Sequence, residues 1–137
     1  MVKIDKTSSR PYYEQLVLSI KEDILNGIIT SGEKIPSVRE MAKELLMNPN
    51  TVSKAYKVLE EEQILVTVKG KGTFVRDIGQ MPRDQRRIKQ LQEQFKILWI
   101  EAQHLQVTKE EIECWLQKAE KDLGGTKDEI KPSQKEY

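Results

Sequence analysis

One cysteine and one histidine in 137 residues leave little material for redox or metal chemistry. Cys114 has no partner for an intramolecular disulfide, a cysteine-based zinc site is excluded, and a lone thiol fits a reducing compartment. Long apolar runs are missing too. The opening MVKIDKTSSRPYY carries no signal-peptide core, and nothing approaches the ~18 apolar residues of a membrane span. The expected location is therefore the cytoplasm, with no membrane partner. Net charge is nearly absent, at +1 from 23 basic and 22 acidic residues, so any polyanionic partner must be inferred from where charges sit. There is no nucleophile–base arrangement, no metal-ligand cluster and no phosphate loop preceding a helix, which argues against an enzyme and implies no cofactor.

What is present is helical periodicity punctuated by turn residues. No internal repeat or low-complexity tract interrupts it. The sharpest boundary is Asp77-Ile78-Gly79-Gln80-Met81-Pro82, which predicts a head over 1–77, a helical region over 78–125 and a polar tail over 126–137. In the head, Ser9 with Arg10-Pro11 is expected to open a first helix, with Tyr13, Leu16, Val17, Ile20, Ile24 and Leu25 inward and an end near Asn26-Gly27. After the short extended Lys34-Ile35-Pro36, Ser37 and Glu40 form a capping box for a second helix, with Val38, Met41, Ala42 and Leu45 inward. Asn48 caps a third helix whose first position is Pro49 and whose inward side is Val52, Ala55, Tyr56 and Leu59.

Two short helices joined by a tight turn fit a helix-turn-helix. Next come strand-like Ile64 to Val68, the turn Lys69-Gly70-Lys71-Gly72 and strand-like Thr73 to Arg76, a β-hairpin with a basic tip. A hairpin beside a helix-turn-helix is a wing. The outward half of the third helix start offers Asn48, Asn50, Thr51, Ser53 and Lys54, short polar groups and one cation near a positive helix end. Arg39 lies in the first turn of the preceding helix, able to grip a phosphate or read guanine. Lys69 and Lys71 flank Gly70 at the wing tip, suited to phosphates or the minor groove. Residues 34–76 carry eight basic and five acidic side chains, and three of those acids (Glu60, Glu61, Glu62) cluster at the far end of the third helix. The same residues taken singly are ordinary caps, turn glycines and solvated charges; their order and spacing point to double-stranded DNA. The competing reading is a winged-helix protein-interaction module, which would more readily show apolar groups at these exposed positions.

The blocks KIPSVREMA (34–42), NPNTVSKAYKVLE (48–60) and KGKGTFV (69–75) resemble the GntR family of bacterial regulators over about residues 10–76. The resemblance implies a winged helix-turn-helix that binds a palindromic operator as a homodimer, usually as a repressor. It places DNA contacts at Arg39, Asn48, Asn50, Thr51, Ser53 and Gly70. Two departures stand out. Leu46-Met47 replaces the usual glycine and small aliphatic residue of the turn, and Glu61-Glu62-Gln63-Ile64 lacks the glycine that commonly precedes the first wing strand.

Beyond the head, Ile88, Leu91, Phe95, Leu98, Ala102 and Leu105 recur at steps of 3, 4, 3, 4 and 3, an a/d seam flanked by Trp99. Thr108 with Glu111 makes a second capping box, followed by Ile112, Trp115, Leu116 and Ala119 on one stripe. Two helices joined near Gln106-Val107 make an antiparallel hairpin too small to cover both stripes, so a homodimer interface is expected. Trp99, Trp115 and His104 are read as dimer core or surface in preference to a ligand pocket, and Cys114 as an inert thiol; no effector is identifiable. The tail is similar to that of the YtrA subfamily, whose members commonly regulate operons for ABC-type transporters. The expected fold is mainly α with a small β-hairpin: a winged helix-turn-helix head plus a C-terminal two-helix dimerisation hairpin.

Overall fold

The computed structural model describes residues 2–124; the polar tail expected over 126–137 lies outside them. The chain divides into two compact units between Gly79 and Gln80. The first contains α1 (Tyr12–Leu25), β1 (Lys34–Ile35), α2 (Val38–Leu45), α3 (Pro49–Glu61), β2 (Leu65–Val68) and β3 (Gly72–Val75). A 3₁₀ turn, Ile78–Gln80, leads to α4 (Gln85–His104) and α5 (Lys109–Asp122).

In the first unit α1 and α2 both pack on α3, and the sheet closes the remaining side. Leu16, Ile20, Val52, Ala55, Leu59 and Leu65 are almost wholly excluded from solvent and form its centre. Burial of a valine, leucine or isoleucine side chain stabilises by roughly 1.5–3 kcal/mol relative to leaving it exposed. The expected inward side of α3 is buried in full. On α2, Met41 and Ala42 are buried while Val38 and Leu45 are half-buried. The sheet has the order β1-β3-β2, all antiparallel. The extended Lys34-Ile35 therefore adds a third strand to the wing, with Ile35 opposite Thr73 and Lys34 opposite Phe74.

The start of α1 differs from expectation. Pro11 is the N-cap, extended at φ −55° and ψ 146°, with no side-chain cap. Ser9 lies outside the helix. Gln15 ties the preceding segment to the helix: its side-chain amide donates to the carbonyls of Asp5 (3.0 Å) and Arg10 (2.9 Å) and accepts from the Asp5 N–H (2.7 Å). Leu25, expected inward, is exposed in the last turn beyond the core, while Asp23 is buried.

Four helices end alike. The N–H groups of Ile28, Met47, Ile64 and Val107 donate to carbonyls five residues back (Asp23, Ala42, Leu59, Ala102) at 2.9 Å each. The residue before each donor has positive φ: Gly27 (75°), Leu46 (52°), Gln63 (59°) and Gln106 (60°). This is the Schellman pattern, which favours glycine at its left-handed position. Only α1 uses glycine there. Two of the three others are the departures from the family pattern noted above.

Candidate nucleic-acid interface

The helix-turn-helix corner is set by local chemistry. Ser37 Oγ accepts from the Glu40 N–H (3.2 Å) and Glu40 Oε1 accepts from the Ser37 N–H (3.0 Å), completing the box that starts α2. Hydrogen bonds to its carboxyl from the Ser37 backbone and then the Ser37 side chain hold Glu40 below the usual carboxylate range, with Lys34 adding to the effect. Asn48 Oδ1 accepts from the Asn50 N–H (2.8 Å), and Pro49 takes the first turn of α3. Deeper in α3, the Tyr56 hydroxyl donates to the Pro36 carbonyl at 2.6 Å, fastening the helix to the segment before α2. Burial, and then the carboxylates Glu44 and Glu40, push the Tyr56 phenol far above its ordinary value, so it stays a donor at every physiological pH.

With one side of α3 buried, the other presents Asn50, Ser53 and Lys54 to solvent, and Thr51 half-exposed beside them. Arg39 is exposed in the first turn of α2, which packs directly on α3. At the wing tip Lys69, Gly70 and Lys71 are all exposed, and Gly70 holds φ 79° in a turn closed by the Lys71 N–H to the Val68 carbonyl (2.9 Å). Among the described residues neither Arg39, Lys69 nor Lys71 enters an ion pair. Gly72, at φ 126°, lies under the Lys34 side chain, whose Cε would be 2.6 Å from any added Cβ. Lys34 thus adds a cation to the base of the wing. The wing is tied back to α3 through side chains: the Thr67 hydroxyl donates to Glu60 and also lies 3.1 Å from that of Thr73. Exposed cations, short polar groups and a positive helix end make a surface able to hold phosphates and reach base edges.

Two contributors were not legible from spacing. Lys54 Nζ sits 4.0 Å from the centroid of the Tyr13 ring, so α1 meets the outward side of α3. Tyr12, 40% exposed, lines the recess beside it. An aromatic pair opening a helix is the one sequence signal that could have drawn attention to this edge.

In the second unit Asp84 caps α4 by accepting from the Arg87 N–H (3.1 Å), and Thr108 and Glu111 form the expected box at α5. The helices join through Gln106 as expected, yet they do not lie side by side: no Cα pair between them falls within 8 Å. They instead flank an open groove of about 460 Å³. Phe95, Leu98, Trp99, Ala102, Leu105, Ile112, Trp115 and Leu116 line it, whereas Ile88, Leu91 and Ala119 do not. Ala102 is the one buried apolar side chain among the described residues of this unit; Phe95, Leu98 and Leu105 remain more than 60% exposed. At 100° per residue, Ile97 and Ile100 project well away from this seam, and they too are exposed. The seam pattern did not reveal them. His104 and Cys114 are exposed, and among the described residues no cluster of three potential metal ligands occurs. No helix of the described residues is long and apolar enough to cross a membrane.

Comparison with known proteins agrees with this architecture. The family model of GntR, "Bacterial regulatory proteins, gntR family", matches residues 12–75. The HTH-type transcriptional repressor YtrA of Bacillus subtilis (strain 168) is 41% identical over 127 residues, covering 93% of this chain and 98% of the relative. A solved structure titled as a transcriptional antiterminator from Listeria monocytogenes EGD-e superposes with a TM-score of 0.87 at 38% identity, covering 91% of this chain and 93% of the other. YtrA from Sulfolobus acidocaldarius, a GntR-family transcription factor, superposes at 0.57 with 32% identity, covering 71% and 97%. These relatives are transcription regulators and not enzymes. The chain belongs to the GntR family of helix-turn-helix transcription regulators, and within it to the YtrA subfamily.

Proposed function

We propose that the protein is a cytoplasmic repressor that binds a palindromic operator as a homodimer and controls an operon for an ABC-type transporter. The observation that carries the DNA reading is the division of α3: Val52, Ala55, Tyr56 and Leu59 are buried, while Asn50, Ser53 and Lys54 stay exposed beside a basic wing. Asn50 and Ser53 are assigned to base edges, and Asn48, Thr51 and Lys54 to the phosphates around the helix start. Arg39 makes a charge-assisted contact from α2, and Lys69, Gly70 and Lys71 seat the wing on the backbone. The repressor role and the homodimer are supported by the relative's name and by the uncovered apolar faces of α4 and α5. The interface residues are Ile88, Leu91, Phe95, Leu98, Trp99, Ala102, Leu105, Ile112, Trp115, Leu116 and Ala119. The transporter assignment rests on the subfamily.

Selection of duplexes from a random pool by the full chain tests this reading, followed by fluorescence anisotropy on the winner at several salt concentrations. An inverted repeat is expected, with affinity falling linearly on a log–log salt plot. Lys69→Ala and Lys71→Ala should each flatten that slope by about 0.9 and weaken all duplexes alike. Enrichment of no duplex would sink the proposal.

A further inference from the structure

The recess between α1 and α3 is about 380 Å³ and is lined by Pro11, Tyr12, Tyr13, Asn50, Thr51 and Lys54. Its α3 wall holds three of the groups assigned to DNA. Its α1 wall holds none, yet the cation on α3 lies on a ring that α1 supplies. Tyr13 is half-buried and packed on the core, and its hydroxyl reaches Glu14 at 3.4 Å, so the ring cannot swing freely. Glu14 in turn pairs with Arg10 at 3.7 Å, which occupies the nearest α1 carboxylate with another cation.

A lysine held by a carboxylate is positioned at the cost of its charge. A lysine held over an aromatic face is positioned by the ring quadrupole and keeps its charge, with its remaining N–H donors turned to solvent. Lys54 is in the second situation. It stands three and four residues after Thr51 and Asn50, one helical turn along the same edge.

From this geometry we infer that Tyr13 is a positioning residue: its ring aims the Lys54 ammonium across the α1–α3 recess at a backbone phosphate of the bound duplex. The first helix thereby takes part in DNA recognition without contributing a charged group of its own at that point. The inference rests on the DNA-binding reading above and adds a coupling between two helices that the reading alone does not require.

A double-mutant cycle on the full chain tests it, with a fluorescein-labelled duplex selected by the wild-type protein as probe. Lys54→Met should weaken binding and lower the log–log salt slope by about 0.9. Tyr13→Phe, which keeps the ring, should bind like wild type. Tyr13→Leu should weaken binding roughly two- to fivefold, the size of an exposed cation–π contact, and should have no further effect when Lys54 is already Met. Equal loss from Tyr13→Leu in both backgrounds would mean the ring serves only the core, and the inference falls. No loss from Tyr13→Leu overturns it as well. If Lys54→Met leaves affinity and slope unchanged while Arg39→Ala and Lys69→Ala reduce affinity, the aiming of Lys54 is refuted and the DNA reading stands. If the wild-type protein selects no duplex, the functional reading itself has failed.

Discussion

The two units solve the burial problem in opposite ways. The first encloses twelve buried apolar residues drawn from all three of its helices and its sheet. The second holds the 20-residue α4 and both tryptophans, yet among its described residues Ala102 is the one buried apolar side chain, and Leu91, Phe95, Leu98, Leu105, Trp115 and Leu116 are more than half exposed. Hydrophobic content therefore does not distinguish them; enclosure does. Among the described residues the two helices leave these stripes uncovered, and an apolar surface of this extent marks an interaction site. The head encloses its apolar residues within its own chain, whereas the apolar faces of α4 and α5 stand open.

The largest expected effect breaks the second half of that comparison. In the proposed homodimer, replacing Phe95 and Leu98 together with Glu places four carboxylates at a symmetric apolar contact, and burying unpaired charge costs several kcal/mol. Both positions are more than 60% exposed in the single chain, so the substitution removes nothing from its own core. Sedimentation velocity at micromolar concentration should show a monomer with an unchanged circular dichroism spectrum. A dimer of wild-type operator affinity would place the subunit contact elsewhere.

The first half is tested in the core. Leu59 is fully buried in the core of the head, and Leu59→Ala should destabilise it by about 2–5 kcal/mol in urea unfolding. Leu105→Ala, at a 67% exposed position, should cost far less under conditions where the chain is monomeric. Similar losses at the two sites would erase the distinction drawn between the units.

A smaller effect separates function from fold within the head. Arg39 is exposed and lies outside the buried core cluster, so Arg39→Ala should leave urea unfolding unchanged and weaken operator binding by about 1–3 kcal/mol, measured by anisotropy. Unchanged affinity would remove Arg39 from the interface.

Legibility in the sequence followed the range of each interaction. The boxes Ser37–Glu40 and Thr108–Glu111 and the Asn48–Pro49 start are made within four residues, and their residue types leave few alternatives. The buried side of α3 followed from periodicity alone. The pairing of Lys34-Ile35 with Thr73-Phe74 did not, because two residues carry no alternation and their partner is about forty positions away. Pro11 stands at the N-cap and not in the first turn, and the bonds of Gln15 back to Asp5 and Arg10 that accompany this start leave no pattern in the sequence. The Tyr13–Lys54 contact needs the packing angle of α1 on α3, which no pattern encodes. The divergence of α4 and α5 was hidden for a further reason: a heptad seam states that a helix needs a partner, not which one.

The smallest effect asks whether the units are independent in their strain. Leu46, Gln63 and Gln106 occupy the left-handed position that Gly27 fills at the end of α1, and all three side chains are exposed. Leu46 is 83% exposed, so its removal gives up little burial. A non-glycine residue in this conformation is strained by contact between Cβ and the backbone, while glycine loses more freedom on folding; where φ is positive the first term prevails. Leu46→Gly and Gln63→Gly should each stabilise the head by about 0.5–1 kcal/mol, raising its Tm by roughly 2–5 °C. Gln106→Gly relieves the same strain at the end of α4. If the head melts on the strength of its own core, that substitution should leave the head's transition where it was and act only on the concentration-dependent melting of the proposed dimer. Differential scanning fluorimetry at two protein concentrations separates the cases. A rise in the head's Tm from Gln106→Gly would show that the two units unfold as one.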